Sequence, residues 1–585
     1  MAPSRDVPVI KAMLEHPAFE SSRRQFNELK SHLQDQYQQP APRWINMEDG
    51  SAVRMLLPDR QTCETWTTRF CQTYNRIYGI IDPVLVAAEL VKIYDGTLNN
   101  PVHISRLLLV TAIGMQDSDS ERTRGRILAS HVENCIHSRL KFQKPCIGAV
   151  QNLLLLMVMK TISSSDTDRV YNMMVLQGLT GQILSSMGLH RDPSLFPGIT
   201  PYGAEVRKRL WACFLRLSLE YSMRSGSQFN TRLDETDCPL PSPVSLRSLE
   251  GCPVKAGEST EEDVTDAQFA IAAVKLVTVI APAYRGLFLP EPPDTRALRD
   301  KMTASFSALT AELPPHLRSE ASNPVSHLQC SILVATMQGF LTVLTFAFPG
   351  VPERSQLMET WDYASSVMHQ FQDLCEKHPN LRNIACHLLW ADVSRAALAG
   401  SATVSKLRQD GCGLAMHPQQ TVRVFQQLLA QSLTFLSEFW QGRFHLGPVA
   451  AKVNLILAVL SSAVSDLCAG GTLADGALVE NSAMAAEKEV AKMKLDLQRH
   501  LPTLTPASTE VFSPAMMGTF PLWNAAPASD PTVALLDAGF GDFDFDFSTG
   551  DPGSAALLDF GFGGDGLVDT SSPQAMQGGF TALWE

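Results

Sequence analysis

From about Leu56 to Leu501, apolar side chains return every three or four residues and strand-like alternation is scarce. That period places them along one face of a helix, and for a chain of this length it leaves helix packed on helix as the architecture. Residues 173–187 set Met173, Leu176, Thr180, Ile183 or Leu184, and Met187 in one stripe. Gly188 stands where a left-handed C-terminal cap belongs, and Pro193 follows shortly after. The next helix is expected near Ala204, with Val206, Leu210, Phe214, Leu217 and Tyr221 facing inward and Arg207, Lys208, Arg209 and Arg216 facing out. Residues 239–266 form a polar break that reads as a surface loop, with helix resuming from Ala267. Residues 421–467 and 477–499 are further helical candidates. The fold class is therefore all-α: a large multi-helix domain over residues 51–500, behind a polar arm at residues 1–50. Within the arm, Phe26, Leu29 and Leu33 mark an amphipathic helix ahead of the run QYQQPAPR.

Residues 501–585 follow other rules. They hold 11 acidic side chains and 11 aromatic ones, with no Lys or Arg. The whole chain has 60 acidic against 48 basic residues, so removing this segment leaves 49 against 48. Nearly all of the formal charge of −12 thus sits at the C-terminus. The run from Phe540 to Phe547 and the run from Leu557 to Phe562 interleave large apolar side chains with carboxylates. That is the composition of an amphipathic, disordered activation segment, in which mutual repulsion keeps the rings solvated and open to a partner groove. The candidate contacts are Phe540, Phe543, Phe545, Phe547, Leu557, Leu558, Phe560, Phe562, Leu583 and Trp584. The blander alternative is an unstructured tail without a role.

The rest of the composition narrows the function. A pI near 5.7 argues against an overall electrostatic nucleic-acid binder. Twelve cysteines without pairing cadence, and a start lacking the apolar core of a signal peptide, read as reduced thiols in an intracellular protein. Cys330–Phe348 carries no charge, but Gln338, Gly339 and the Pro349-Gly350 stop fit a helix buried on all sides better than a membrane span. His131-Val-Glu133 with Pro145-Cys146 imitates a zinc deaminase, yet the second cysteine position is Ala149, which leaves the metal a ligand short. No nucleophile elbow, His-Glu-x-x-His or phosphate loop occurs. No catalytic residue, metal ligand or cofactor is read from the sequence.

Several segments, taken in order, resemble the middle homology region of fungal-specific transcription factors. Ser186-Met-Gly-Leu-His-Arg-Asp-Pro193 is similar to the family's Gly-Leu-His-Arg-Asp turn. Glu205-Val-Arg-Lys-Arg-Leu-Trp211 resembles its basic helix start. Gly226-Ser-Gln-Phe-Asn-Thr231 and Asp234-Glu-Thr-Asp-Cys-Pro-Leu-Pro241 resemble the loop that follows. Upstream, Leu56-Leu-Pro58 through Tyr78-Gly-Ile-Ile-Asp-Pro83, and Val150 to Leu156, are similar to its opening. The likeness is strongest over residues 55–245. Physically, His190, Arg191 and Asp192 follow a helix end and are placed to satisfy open carbonyls or pair with the next helix. Trp211 reads as a core anchor, and Arg207 to Arg209 as a solvated face bracing the acidic loop from Asp234 to Asp237. Gly188, Leu189, His190, Arg191, Asp192, Glu205, Arg207, Arg209, Trp211, Asp234, Asp237 and Pro241 are thus expected to be structural; a ligand site among them is the sharper, less favoured alternative. The resemblance implies a helical regulatory domain that holds the protein inactive, dimerises or responds to a small molecule.

Family members usually begin with a binuclear zinc cluster, six cysteines within about thirty residues. This sequence has no cysteine before Cys63, and Arg23, Arg24, Lys30 and Arg43 are too sparse for a groove-reading element. The expectation is therefore a nuclear transcriptional regulator of a pathway-specific, secondary-metabolite gene set. It would act through a DNA-binding partner factor or as a homodimer, recruit coactivators through the tail, contact DNA indirectly and touch no membrane. Two alternatives stand beside it: a direct DNA-binding zinc-cluster factor whose N-terminal exon is missing from the sequence, and a non-enzymatic helical scaffold with an inert tail.

Overall fold

The computed structural model describes residues 16–37, 53–118, 120–139, 145–162, 168–253, 261–289, 293–318, 323–346, 354–409, 419–440, parts of 455–466, and 476–504. Among the described residues there are sixteen α-helices and no strand. The first nine are α1 (Glu20–Tyr37), α2 (Arg60–Gln72), α3 (Tyr74–Tyr78), α4 (Pro83–Tyr94), α5 (Pro101–Met115), α6 (Arg122–Arg139), α7 (Ile147–Ile162), α8 (Asp168–Ser186) and α9 (Pro201–Ser225). Then come α10 (Glu261–Gly286), α11 (Thr295–Glu312), α12 (Pro324–Phe346), α13 (Arg354–Lys377), α14 (Arg382–Gln409), α15 (Gln419–Trp440) and α16 (Gly476–Leu504).

Local chemistry starts these helices cleanly. Asp82, Asn100 and Thr200 each accept a backbone N–H of the first turn, and each is followed by a proline at the first helical position. The side chain satisfies an orphan donor, and proline has no N–H to waste and a φ already set for the helix. Helix C-termini are closed from elsewhere in the chain. Arg54 donates to the carbonyl of Tyr94 at the end of α4 (3.1 Å), and Arg122 to Gln116 just past α5 (3.0 Å). Arg207 reaches Met187 past α8, Arg216 reaches Ile77 in α3, and Arg318 takes Ala311 and Leu313 at the end of α11. A guanidinium meets both the open carbonyls and the negative end of the helix dipole.

Three helices contain stretches enclosed on all sides. Ile104–Met115 of α5, Val150–Met159 of α7 and Leu210–Leu215 of α9 are buried throughout. Helices enclosed on all sides read this way. One apolar core runs from Phe19 to Ala486 through these elements. The α2–α5–α7 group packs through α9 and α10 onto the later bundle of α12, α13, α14 and α15. Polar ties join the two: Tyr74 Oη and His387 Nδ1 lie 2.9 Å apart, Asn383 donates to the carbonyl of Asp117, and Arg69 donates to that of Asn380.

The structure revises three expectations and bears out a fourth, the buried uncharged helix. Arg216 does not face out; its guanidinium lies over the rings of Tyr78 (4.8 Å) and Phe269 (5.0 Å). Helix α10 begins at Glu261 rather than Ala267, because Glu261, Glu262 and Asp263 suit the positive end of a helix. Within the expected polar arm, α1 packs on α16, with Leu29 buried against Met493 and Lys494 reaching Glu28. The uncharged stretch lies in α12, which is long and apolar enough to cross a membrane, as is Val264–Gly286 of α10. The apolar window of α12 is 78% buried among neighbouring helices, as in the core of a globular protein. Residues beyond 504, including every candidate contact of the tail, lie outside the described residues.

One glycine fixes a close approach. A Cβ on Gly114 of α5 would lie 2.1 Å from the backbone oxygen of Trp66 in α2, and backbone cannot rotate aside. Gly114→Ala is expected to cost about 1–3 kcal/mol or more through overpacking. Gly178→Ala in α8, where nothing lies within 4 Å of the added atom, should be neutral or stabilising by up to about 1 kcal/mol. Urea midpoints of the two variants check this; an unchanged midpoint for Gly114→Ala would mean that α2 and α5 do not approach so closely.

Candidate functional site

Helix α8 ends in a left-handed turn. Gly188 has φ +67°, its N–H bonds the Ser185 carbonyl, and the Leu189 N–H bonds that of Leu184. This is the paired closure that glycine permits, and it buries Leu189 against Leu184. A Cβ on Gly188 would also sit 2.6 Å from the Phe196 ring, whose other neighbour is the Arg207 guanidinium at 5.3 Å.

The turn clips the later loop in place. Arg191 meets Asp237 in a two-pronged pair, both contacts 2.9 Å, and Asp237 also accepts the Asp192 backbone N–H. The carbonyl of His190 receives the N–H groups of Asp237 and Cys238 and the hydroxyl of Thr236. The Arg191 hydrogen bonds hold the Asp237 carboxyl below its ordinary pKa. The Asp192 side chain accepts the Ser194 N–H. Asp234 is exposed on a single 3₁₀ turn, and Pro241 is buried where the loop comes back to α9.

Glu205 is the second fixed point. It is 2% exposed and meets Lys208, Arg209 (3.0 Å) and the backbone N–H of Ser242 (2.9 Å). Burial pushes its pKa up, but Lys208, Arg209 and the Ser242 N–H outweigh that and leave it below the ordinary 4.5. Arg209 also donates to the carbonyl of Val244, and Lys208 to the Ser242 hydroxyl. The basic run therefore braces residues 242–244, not Asp234 to Asp237, and it is largely buried. Trp211 is 5% exposed, with its ring 5.5 Å from that of Phe214 and 6.1 Å from the His190 imidazole.

These parts leave a pocket of about 400 Å³ between α8, α9 and residues 227–235. His190, Trp211 and Phe214 line one side, and Gln177, Gly178 and Gln182 of α8 the other. Sequence reasoning placed His190 and Trp211 but missed the α8 wall. Its only sign in the sequence is Gly178 and Gly181, three apart on a helix that otherwise needs no glycine. A second unpredicted cluster is buried between α4, α5 and α7, where Arg106 bridges Glu89 and Gln151, and His103 lies 2.9 Å from Glu89. Among the described residues no group of three His, Cys, Asp or Glu is arranged to hold a metal, and Glu133 of the deaminase-like sequence pairs with Lys160 at 2.7 Å.

Residues 74–304 match the family described as "Fungal specific transcription factor domain". The chain is 26% identical over 230 residues to transcription factor lepE of Aspergillus flavus, covering 38% of this chain and 27% of that protein. It is 29% identical over 132 residues to the fusarisetin A cluster transcription factor fsa6 of a Fusarium species, covering 22% and 17%. To the Zn(2)-C6 fungal-type transcription factor mpsB of Macrophomina phaseolina it is 25% identical over 241 residues, covering 39% and 32%. The matches thus span about a third or less of these relatives' lengths. No solved structure matches the chain.

Removing one partner of a buried charge group strands the others. Glu205→Gln is expected to cost about 3 kcal/mol, because Lys208 and Arg209 lose their counter-charge. The folded pKa of Glu205 lies below 4.5, so its contribution is present above that value and is lost as the pH falls through the folded pKa. The gap in urea midpoint between wild type and Glu205→Gln should therefore be widest near neutral pH and shrink in acid. Asp237→Asn should have the smaller effect, since Arg191 and Asp237 are 47% and 46% exposed.

Proposed function

We propose that this chain, whose residues 74–304 match the fungal specific transcription factor domain, is a nuclear regulator of transcription. The observation that carries the proposal is the match itself, over a segment whose motif residues are spent on one another: Arg191 on Asp237, Glu205 on Lys208 and Arg209, Gly188 on a helix cap. Such an arrangement positions a loop and a helix.

The finer parts of the proposal concern output and targeting. The tail, residues 501–585, recruits coactivators through Phe540, Phe543, Phe545, Phe547, Leu557, Leu558, Phe560, Phe562, Leu583 and Trp584. Alternating charge and aromatic character over a stretch without a single Lys or Arg supports this. Carboxylates speed the encounter and rings supply the contact, while ordering a flexible segment keeps each contact weak. The gene set is one for a secondary metabolite, a proposal supported by the likeness to a factor named for the fusarisetin A cluster. One proposed route to the promoter is a DNA-binding partner docked on the helical domain. A second route, direct contact through a zinc cluster, draws support from the likeness to mpsB, whose name describes a Zn(2)-C6 factor.

Fusing residues 501–585 to a heterologous DNA-binding domain tests the output. The fusion should raise a reporter at least about tenfold, and changing Phe543, Phe545, Phe547, Phe560 and Phe562 to Ala with every Asp kept should return it to background. Equal activity of the two fusions would assign activation to charge alone. A silent wild-type fusion would remove the activator proposal and favour a corepressor or scaffold.

A further inference from the structure

The pocket beside the His190 turn is built as a receptor. Its volume, about 400 Å³, falls in the ordinary range of roughly 300–1,000 Å³ for small-molecule sites. Trp211 and Phe214 border it but are 5% and 2% exposed, so they offer it edges and no open ring face. Around them stand amides and hydroxyls, among them Gln177, Gln182, Gln228 and Asn230, which offer donors and acceptors alike. The two charged groups in the wall, Arg232 and Glu235, are joined to each other at 2.8 Å. A charged guest would therefore shed water and find no uncommitted counter-ion.

Two further observations point to an occupant. The space exists because α8 carries glycine where it faces the pocket. A Cβ on Gly178 would meet nothing within 4 Å, and one on Gly181 would touch Phe214 at 3.0 Å. Helical glycine costs about 1 kcal/mol relative to alanine, and at Gly178 no packing contact explains it. His190 also lines the pocket, and its Nδ1 is buried without a hydrogen-bond partner among the described residues. Nothing fixes the tautomer, so either ring nitrogen can carry the proton. Burial, then the neighbouring Arg191, lowers its pKa and keeps the ring neutral at neutral pH.

We propose that this pocket binds an uncharged small molecule of about two fused rings carrying carbonyl and hydroxyl or amino groups, its polar groups met by the amides of Gln177, Gln182, Gln228 and Asn230 and by the His190 ring. The guest touches the His190 turn, the start of loop 227–235 and α8 together, and so it tightens the clip between Arg191 and Asp237. The proposal rests on the geometry of the pocket and is independent of the transcriptional role.

The test uses the purified full chain and 7-amino-4-methylcoumarin, a neutral, flat, fluorescent compound with an amine donor and a carbonyl acceptor. Fluorescence anisotropy should show one saturable site. Gly178→Phe fills the pocket from a helix position with open space around it, and should weaken binding at least about tenfold while keeping the thermal midpoint. Gln182→Trp, on the exposed rim, provides the same block should Gly178→Phe fail to fold. Val175→Phe, exposed on the same helix outside the pocket, should bind as wild type. Coumarin-3-carboxylate should bind at least about tenfold more weakly than the neutral probe. Equal affinity in the pocket-filling variants, equal affinity for the carboxylate, or no saturable binding below about 1 mM would each overturn the proposal.

Discussion

An all-helical chain leaves a set of unbonded carbonyls at the C-terminus of every helix, and here arginines from distant or following segments close several of them. Arg216 joins α9 to the end of α3, Arg54 joins the chain before α2 to the end of α4, and Arg207 joins α9 to the end of α8. Each bond settles where one helix stops and which neighbour it stops against. A core of interchangeable Leu, Ile, Val and Met would otherwise accept several registers, since dispersion and area burial are not directional. The guanidinium fork is directional and stays charged at every accessible pH, so it selects among packings of similar apolar area.

The motif region applies the same logic to a loop. Gly188 ends α8, Arg191 and the His190 carbonyl seize residues 236–238, and Glu205 with its two cations seizes residues 242–244. Between these two anchors the chain has little freedom. Three of the side chains that look most like chemistry in the sequence, Arg191, Asp192 and Asp237, spend their polar atoms on positioning, whereas His190 is held by its backbone carbonyl. The pocket wall that faces them is assembled from α8 residues that carry no motif.

Helix identity and the turn at Gly188 were legible because they are local: spacing of apolar residues and glycine after Met187; the start of α9, expected near Ala204, lies at Pro201, where Thr200 caps it. The partners of each face were not. Arg207 to Arg209 and Arg216 read as solvent-facing because charge normally stays wet, yet α9 is enclosed, and those side chains thread out to carbonyls and rings on other helices. The docking of α1 on α16 was invisible for a related reason. A stripe of Phe26, Leu29 and Leu33 announces that something covers it, and only the tertiary structure says that Met493 packs on Leu29 and Phe26. The Glu89–Arg106–Gln151 cluster gave no sign beyond single polar residues inside apolar helices.

The bridge between Tyr74 and His387 spans 313 residues of chain. The segment that matches the family ends at residue 304, so the hydroxyl near its beginning is answered by an imidazole outside it. At a synthesis rate of 5–20 residues per second, the ribosome needs on the order of 15–60 s to make the second half of that bridge after the first. For that interval the polar ties from Tyr74, Asp117 and Arg69 to residues 380–387 are unmade, so the pace of translation through residues 305–387 becomes a variable of folding.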